Sequence, residues 1–92
     1  MNLSFQAKKA PQTPGVYIFK DKKGGILYIG RAINLRRRIV QYFQKPVDFR
    51  IQEMVDLART IKLKKTKGVL EAIILEANLI KKYWPKYNIK DK

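Results

Sequence analysis

Two β-rich runs on either side of a compact turn constrain the fold of this chain more than any other feature. The runs GVYIFK and ILYIG begin at Gly15 and Ile26, and the residues between them, 21–25, read DKKGG. Such a turn cluster between β-rich runs is typical of a β-hairpin. The sequence therefore predicts an antiparallel hairpin. A loop of two or four residues would place Tyr17 and Tyr28 on one face, whereas a loop of three would separate them.

The remaining segments predict helices and a third strand. Residues 1–14 are a polar lead-in with a single helical turn. Asn34 is a candidate N-cap for LRRRIVQYF, which Pro46 ends, and Asp48 is a candidate N-cap for the next helix. TIKLKKT alternates as a half-buried strand does. After Gly68, VLEAIILEANLIKKY predicts a helix of about four turns, followed by a tail assigned to residues 83–92.

These elements predict one α+β domain over residues 1–92, with the order ββααβα. Helices would flank a small three-stranded antiparallel sheet. No apolar run approaches the roughly 20 residues that a membrane-spanning helix needs. The N-terminus also lacks the apolar core and cleavage site of a secretory signal. We therefore predict no membrane partner and a cytoplasmic location.

The balance of charged side chains indicates a polyanionic partner. The chain has 21 lysines and arginines but 7 aspartates and glutamates, a formal net charge of +14. A folded domain this basic most often binds nucleic acid, because its cations release counterions from phosphates. A membrane surface and simple solubility are the alternatives. The chain has no histidine and no cysteine, which excludes imidazole and thiolate chemistry. An enzymatic base would be a tyrosine, a lysine or a carboxylate.

Glu76 is an acidic residue in an otherwise apolar helical run. On a helical wheel its neighbours one turn away are Ala72, Ile73, Leu79 and Ile80, so apolar side chains would surround it. A buried carboxylate without a partner is unfavourable. An ion pair with a basic side chain, a protonated acid and a metal ion are the three solutions. No other acid lies close in the predicted fold, so a metal would be a single ion held by one carboxylate and water, as Mg²⁺ often is.

Three consecutive arginines, Arg36, Arg37 and Arg38, occupy the first turn of a predicted helix, where the helix dipole disfavours cations. Together with the free N–H groups of that turn, they would form a cradle for phosphate. A solvated basic face is the alternative, and it suits Arg37. Arg38 suits it less, because it lies at the edge of the apolar stripe one turn before Tyr42. We predict a functional role for Arg38.

Tyr17 and Tyr28 are either simple strand formers or catalytic phenols. A free phenol has a pKa near ~10 and is a poor base at neutral pH. Nearby cations favour the phenolate, so Arg31 or a bound metal would make either tyrosine a better base.

GVY at residues 15–17 and YIG at residues 28–30 together resemble the paired signature of the GIY-YIG nuclease family. YIGRAINLRRRIVQYF and EAIILEANLIKKYWPKYNI resemble later segments of its excision-repair branch. The resemblance runs from about Pro14 to Asn88. Val16 replaces the isoleucine of the first motif. Arg31 replaces the usual lysine, and because a guanidinium stays charged and cannot transfer a proton, the role of Arg31 is limited to electrostatics. Trp84 stands where arginine is more usual and would pack or stack on a base.

The resemblance implies hydrolysis of one DNA phosphodiester with a single divalent metal, Mg²⁺ or Mn²⁺, and water activated by a tyrosine. It places the metal ligand on Glu76, the catalytic arginine on Arg38, and further active-site residues on Tyr17, Tyr28, Tyr42 and Asn88. Arg31 would assist electrostatically, and which motif tyrosine is the base stays open. Backbone phosphates of the DNA would be bound by basic side chains, namely Arg36, Arg37, Lys62, Lys64, Lys81 and Lys82.

The excision-repair branch further implies an incision 3′ of a lesion. It also implies other excision-repair proteins as partners if the chain is part of a longer protein. A stand-alone nuclease for recombination or mobile elements is one alternative. A non-catalytic DNA-binding module that kept the scaffold is the other.

Overall fold

The computed structural model describes residues 3–44 and 48–88. The elements in chain order are α1 (Leu3–Lys8), β1 (Gly15–Lys20), β2 (Ile26–Ala32), α2 (Leu35–Gln41), α3 (Phe49–Leu57), β3 (Thr60–Lys65) and α4 (Val69–Tyr83). The predicted α+β architecture with a three-stranded antiparallel sheet is confirmed. The observed order of elements differs from the predicted ββααβα by one additional helix, α1. The lead-in forms this short helix, and its Leu3 and Ala7 are buried.

The sheet has the order β2-β1-β3, with β1 antiparallel to both neighbours. The central strand is buried along almost its whole length. The strand β3 alternates as predicted, because Ile61 and Leu63 are half-buried while Lys62 and Lys64 are exposed.

A β-bulge decides which face of the hairpin carries its tyrosines. Lys20 pairs with Ile26, but Phe19 pairs with Tyr28, so Leu27 is an extra residue on β2. Because side chains alternate along a strand, the extra residue turns Tyr28 onto the face that carries Tyr17. The loop of residues 21–25 has an odd length, and it would have separated the two phenols without the bulge.

Two apolar clusters lie on the two faces of the sheet. On one face α4 packs on β1 and β2, with Val16, Ile18, Ile29 and Ala72 buried. The opposite face carries the larger cluster, in which α1, α2 and α3 cover the aromatic side chains of β1. This larger cluster contains Tyr17, Phe19, Leu35, Ile39 and Met54.

Both predicted N-caps are confirmed. The Asn34 side chain accepts a hydrogen bond from the N–H of Arg37 at 3.1 Å, and Asp48 accepts one from Ile51 at 2.8 Å. The helix α2 ends at Gln41, two residues before the end of the predicted segment. Pro46, predicted to end that segment, and residues 89–92 of the tail lie outside the described residues.

In the described part of the chain, no helix combines the length and the apolarity needed to cross a bilayer.

Candidate active site

Three tyrosines from β1, β2 and the end of α2 form one cluster. The hydroxyls of Tyr17 and Tyr42 lie 2.6 Å apart and share a hydrogen bond. The ring centroid of Tyr28 lies 6.3 Å from those of both Tyr17 and Tyr42. The sequence therefore named three residues that the fold brings together from different elements.

Gly30, the glycine of the YIG motif, makes room for this cluster. Gly30 pairs with Tyr17 across β1 and β2, and a Cβ at Gly30 would overlap the Tyr17 hydroxyl and Cζ. The first motif glycine has a similar cause, since a Cβ at Gly15 would lie 2.5 Å from the carbonyl oxygen of Lys64. Both glycines are required by close approach of neighbouring atoms.

Burial keeps the clustered phenols protonated. Desolvation is the largest cause that raises the pKa of Tyr17, Tyr28 and Tyr42 above the ordinary tyrosine value. The charge of Glu76 also raises the pKa of Tyr28, whereas the charge of Arg38 lowers the pKa of all three. At neutral pH the cluster therefore consists of neutral hydroxyl groups.

Arg38 is the cation beside the tyrosine cluster. Its guanidinium carbon lies 5.1 Å from the ring centroid of Tyr42, and its Nη1 donates to Gln41 at 3.1 Å. Sequence analysis assigned the electrostatic support of the phenols to Arg31. In the structure, Arg38 is the arginine that lies against the phenols. The side chain of Arg31 is directed to Glu76 of α4 instead.

Arg31 forms an ion pair with Glu76, with 2.7 Å between Nη1 and Oε1. The Glu76 side chain is 16% exposed and that of Arg31 is 49% exposed. Of the three solutions proposed for the carboxylate, the structure shows the ion pair. The predicted apolar surroundings are partly wrong, since Ala72 is buried as expected but Ile73 is exposed.

The surroundings of Glu76 fit a single divalent cation. The described residues hold no group of three or more acidic, histidine or cysteine side chains that could share an ion, so water would supply most ligands, as it does for Mg²⁺. The half-exposed guanidinium of Arg31 engages Oε1. Its exposure leaves room for it to move away when a cation approaches the carboxylate.

An open groove of about 240 Å³ joins these groups. Its lining residues are Arg31, Ala32, Ile33, Asn34, Arg37, Arg38 and Gln41. Arg38 connects the groove to the tyrosines and Arg31 connects it to Glu76. Guanidinium groups bind phosphate oxygens with two parallel hydrogen bonds, so this groove has the chemistry to bind a DNA backbone.

The prediction that free backbone N–H groups at the N-terminus of α2 would help to bind phosphate is wrong. The N–H of Leu35 donates to Thr13 and that of Arg36 to Pro11, at 2.9 and 3.2 Å. The N–H of Arg37 donates to the Asn34 side chain. These groups are therefore already satisfied within the fold.

The side chain of Arg36 is also occupied, since its Nε donates to the carbonyl oxygen of Ala10 at 2.7 Å. Arg36 joins α2 to the lead-in, and the DNA contact predicted for it stays a prediction. Lys62 and Lys64 extend from the sheet face that α4 covers, because they pair with Ile18 and Val16. This face is opposite to the tyrosines.

Asn88 lies on the outer edge of β2. Its Oδ1 accepts from the N–H of Ile29 and its Nδ2 donates to the carbonyl oxygen of Ile29, both at 2.8 Å. The N–H of Tyr87 also donates to Leu27. Asn88 thus satisfies the backbone hydrogen-bonding groups of Ile29 at the outer edge of β2. Because Ile29 lies between Tyr28 and Gly30, Asn88 is a positioning residue for this segment. Its predicted role as an active-site residue stays a prediction.

Sequence analysis missed two contributors to the site. Gln41 binds Arg38, and the spacing of three residues on a helix was the signal for this pair. Glu53 of α3 accepts a hydrogen bond from the Tyr87 hydroxyl, which fastens the tail that carries Asn88. No local sequence pattern connects residues 34 positions apart.

A motif tyrosine pair over a close-packed glycine, an adjacent arginine helix and a helix-borne glutamate define a GIY-YIG domain. The protein-family model of the UvrC-like GIY-YIG domain matches residues 13–89, and the chain belongs to this family.

Curated relatives agree with this assignment. The chain is 45% identical over 91 residues to the UvrABC system protein C of Carboxydothermus hydrogenoformans. It is 50% identical over 88 residues to that of Methanospirillum hungatei. These alignments cover 97% and 95% of the chain, but the chain spans only 15% and 17% of the two relatives.

A solved structure is similar over nearly the whole chain. The GIY-YIG N-terminal endonuclease domain of UvrC from Thermotoga maritima, bound to its catalytic cation magnesium, matches with a TM-score of 0.89 and 41% identity. The match covers 97% of this chain and 100% of that domain. A variant of that domain with an asparagine replaced by alanine matches with a TM-score of 0.90 at 39% identity.

Proposed function

We propose that this chain is a metal-dependent DNA endonuclease domain that hydrolyses one phosphodiester bond. We further propose that it makes the incision 3′ of a lesion in nucleotide excision repair. The observation that carries the proposal is the arginine-lined groove, which meets the tyrosine cluster through Arg38 and the carboxylate of Glu76 through Arg31. The Thermotoga domain, an endonuclease by name, supports the same activity.

Glu76 is the side chain that would hold the metal, Mg²⁺ or Mn²⁺. The cation, when bound, supplies Lewis-acid stabilisation of the phosphate and acidifies a coordinated water. A single carboxylate with water as the other ligands is consistent with the lack, among the described residues, of any group of three or more acidic, histidine or cysteine side chains. Binding of magnesium by the Thermotoga domain supports this assignment.

The arginines of the groove would bind and orient the scissile phosphate. Arg38 stabilises the negative charge that develops on the phosphoryl oxygens, and it is held for this task by Gln41 and Tyr42. Arg37 lines the same groove and would bind a flanking phosphate. Both contacts are independent of base sequence.

The tyrosines would orient the attacking water and receive its proton. A neutral phenol oxygen can accept a hydrogen bond from water and so orient it, but only the ionised phenolate of Tyr17 or Tyr28 can take the proton of the water. The charge of Arg38 favours this phenolate because it lowers the pKa of both phenols, while burial opposes ionisation. The Tyr42 hydroxyl, which is hydrogen-bonded to Tyr17, would donate to a Tyr17 phenolate and stabilise it.

Other excision-repair proteins are the proposed partners. The curated relatives are named as component C of the UvrABC system and are about six times longer than the aligned region. We infer that lesion recognition and assembly with those partners need parts of such a longer protein.

Nicking of supercoiled plasmid tests the proposal. Wild-type protein with Mg²⁺ or Mn²⁺ should convert it to the open-circular form. Glu76→Gln and Arg38→Ala should each lose at least 100-fold in rate, a loss on the order of that seen when one charge-stabilising group is removed. Both should still bind DNA.

Glu71→Gln is the matched control, because Glu71 is an exposed acid in the first turn of the same helix. It removes the same charge and should nick like wild type. Equal nicking by Glu76→Gln and wild type, or an intact plasmid with every metal despite tight DNA binding, would overturn the nuclease assignment.

A further inference from the structure

The single tryptophan of the chain lies exposed at the end of α4. The side chain of Trp84 is 64% exposed. Neither apolar cluster includes it, and none of the ring contacts within residues 3–44 and 48–88 involves it. Packing and stacking on a base were its two roles predicted from the sequence, and its high exposure favours stacking.

The backbone at Trp84 is held in an uncommon conformation. Its φ of 50° and ψ of 56° are left-handed, and no other non-glycine residue of the described chain has a positive φ. Such a conformation is disfavoured for a residue with a bulky side chain. The N–H of Trp84 donates to Ile80 at 2.7 Å, and Pro85 follows. The backbone that carries the ring is therefore anchored to the end of α4.

The surroundings of the ring are basic and aromatic. Lys81 and Lys82 lie in the last turn of α4, and both are exposed, as is Lys86. The Nζ of Lys82 lies 5.2 Å from the ring centroid of Tyr83, which is itself exposed. A protruding aromatic ring among lysines has charge complementary to a polyanion and a flat surface for a base.

We infer that Trp84 is a stacking site for an unpaired DNA base, while Lys81, Lys82 and Lys86 bind the adjacent phosphates. The inference rests on the proposed function, which makes DNA the substrate. Trp84 is eight residues after Glu76, about 12 Å along the helix axis. This distance corresponds to roughly three or four nucleotides of one strand. The stacked base would therefore lie near the scissile bond and favour DNA with unpaired or distorted bases.

Tryptophan emission reports directly on this contact, because the chain has one tryptophan. Titration of wild-type protein with an unlabelled single-stranded oligonucleotide should quench the emission, since a stacked base deactivates the indole. Titration with a fully paired duplex of equal length should bind with much less quenching. Binding of the single strand without any quenching would overturn the inference.

Affinity measured with a fluorescein-labelled oligonucleotide gives a second test. Trp84→Ala should weaken single-strand binding by roughly fivefold to 150-fold, the range for loss of one stacked base, with duplex affinity within about twofold of wild type. Trp84→Phe should retain most of the affinity. Trp84→Gly removes the ring at a left-handed position that glycine adopts readily, so the fold should be kept and a loss of binding should report on the ring.

Leu70→Ala is the matched control, because Leu70 is an equally exposed apolar side chain on α4. It should bind single strands like wild type. Wild-type affinity of Trp84→Gly for single strands would overturn the stacking site, and so would an equal loss for single strands and duplex. A Trp84 variant that binds DNA normally but loses a protein partner would assign the ring to a protein interface.

These results separate the inference from the proposed function. If the wild-type domain nicks plasmid and the Trp84 variants bind single strands normally, only the stacking site fails. If the wild-type domain neither binds nor nicks DNA, both fail.

Discussion

The hydroxyls of Tyr17 and Tyr42 lie 2.6 Å apart, although the two residues are separated by 25 positions in the sequence. One phenol donates and the other accepts, and Tyr17 is buried while Tyr42 is half-buried. Burial raises the pKa of both phenols, so ionising either one places a negative charge in poorly solvated surroundings. The pair therefore links the chemistry of the site to the stability of the fold.

We predict that stability falls as the pH rises above about 10. Burial raises the pKa of Tyr42 in the folded protein above the value of about 10 expected in the unfolded chain. The unfolded chain therefore loses its phenolic proton first, so unfolding releases protons and becomes more favourable as pH rises. Near pH 11 the loss should be about 1 kcal/mol per buried phenol. Urea unfolding between pH 8 and 11 measures it.

The control for this prediction is the difference between wild type and a variant that lacks the Tyr42 hydroxyl. Tyr42→Phe cannot ionise at this position and should show a shallower decline than wild type over the same pH interval. Parallel curves for the two proteins would contradict the assigned pKa shift.

Gly30→Ala should disrupt the tyrosine cluster. Its Cβ would overlap the hydroxyl and Cζ of Tyr17, and overpacking of this kind costs about 1–3 kcal/mol. The free energy of unfolding measures this cost, and plasmid nicking should fall because Tyr17 is displaced. Adding Tyr17→Phe should restore little stability, since the ring carbon remains in the way.

Gly68→Ala serves as the comparison for Gly30→Ala. The Cβ there meets only the flexible carboxylate of Glu71, at 3.0 Å, and the backbone φ of −159° is accessible to alanine. Its loss of stability should be clearly smaller. Similar losses at both glycines would argue against a specific role for close packing under Tyr17.

Arg31→Gln should strengthen binding of a divalent cation. The guanidinium of Arg31 engages Oε1 of Glu76, so a cation must compete with it for that oxygen. Without Arg31, we expect Mn²⁺ affinity to rise by roughly fivefold, equivalent to about 1 kcal/mol of a partly exposed ion pair. Isothermal titration calorimetry with Mn²⁺ measures this change.

Stability of Arg31→Gln should stay within about 1 kcal/mol of wild type, because the pair is partly exposed to solvent. The double variant Arg31→Gln with Glu76→Gln should bind no Mn²⁺ at this site. Unchanged or weaker Mn²⁺ binding by Arg31→Gln would show that the guanidinium does not compete with the metal.

Asn88→Ala should loosen the outer edge of β2. The substitution removes both hydrogen bonds to the backbone of Ile29, and unpaired backbone groups there cost about 1–3 kcal/mol. Hydrogen exchange at the Ile29 amide should accelerate, while exchange in β3 should change little. Asn88→Asp keeps an acceptor for the N–H and should give an intermediate effect. Unaltered Ile29 exchange in Asn88→Ala would contradict the edge-pairing role.

Local patterns predicted the elements well because their causes are local. Asn34 and Asp48 cap helices with side chains that reach only three residues ahead. The alternation of Ile61 and Leu63 with lysines marks a strand with one buried face. The resemblance supplied the candidate residues of the site, and the fold brings Tyr17, Tyr28 and Tyr42 together.

Partners distant in sequence could not be predicted in the same way. The ion pair of Arg31 with Glu76 spans 45 positions, and its formation depends on how α4 crosses β2. The backbone N–H groups of Leu35 and Arg36 were expected to be free, but they donate to the lead-in. A polar segment of 14 residues gave no sign that its carbonyl groups would be used there.

The extra residue on β2 has a consequence for how this hairpin tolerates change. Leu27 is the bulge residue that compensates for the odd number of residues in the turn. The YIG segment itself is fixed by the hydrogen bonding of Asn88 to Ile29 and by the close packing of Tyr17 on Gly30. Extra residues in a lengthened turn should therefore be accommodated near the tip of the hairpin. The turn can then drift in length over evolutionary time while the phenols keep their common orientation.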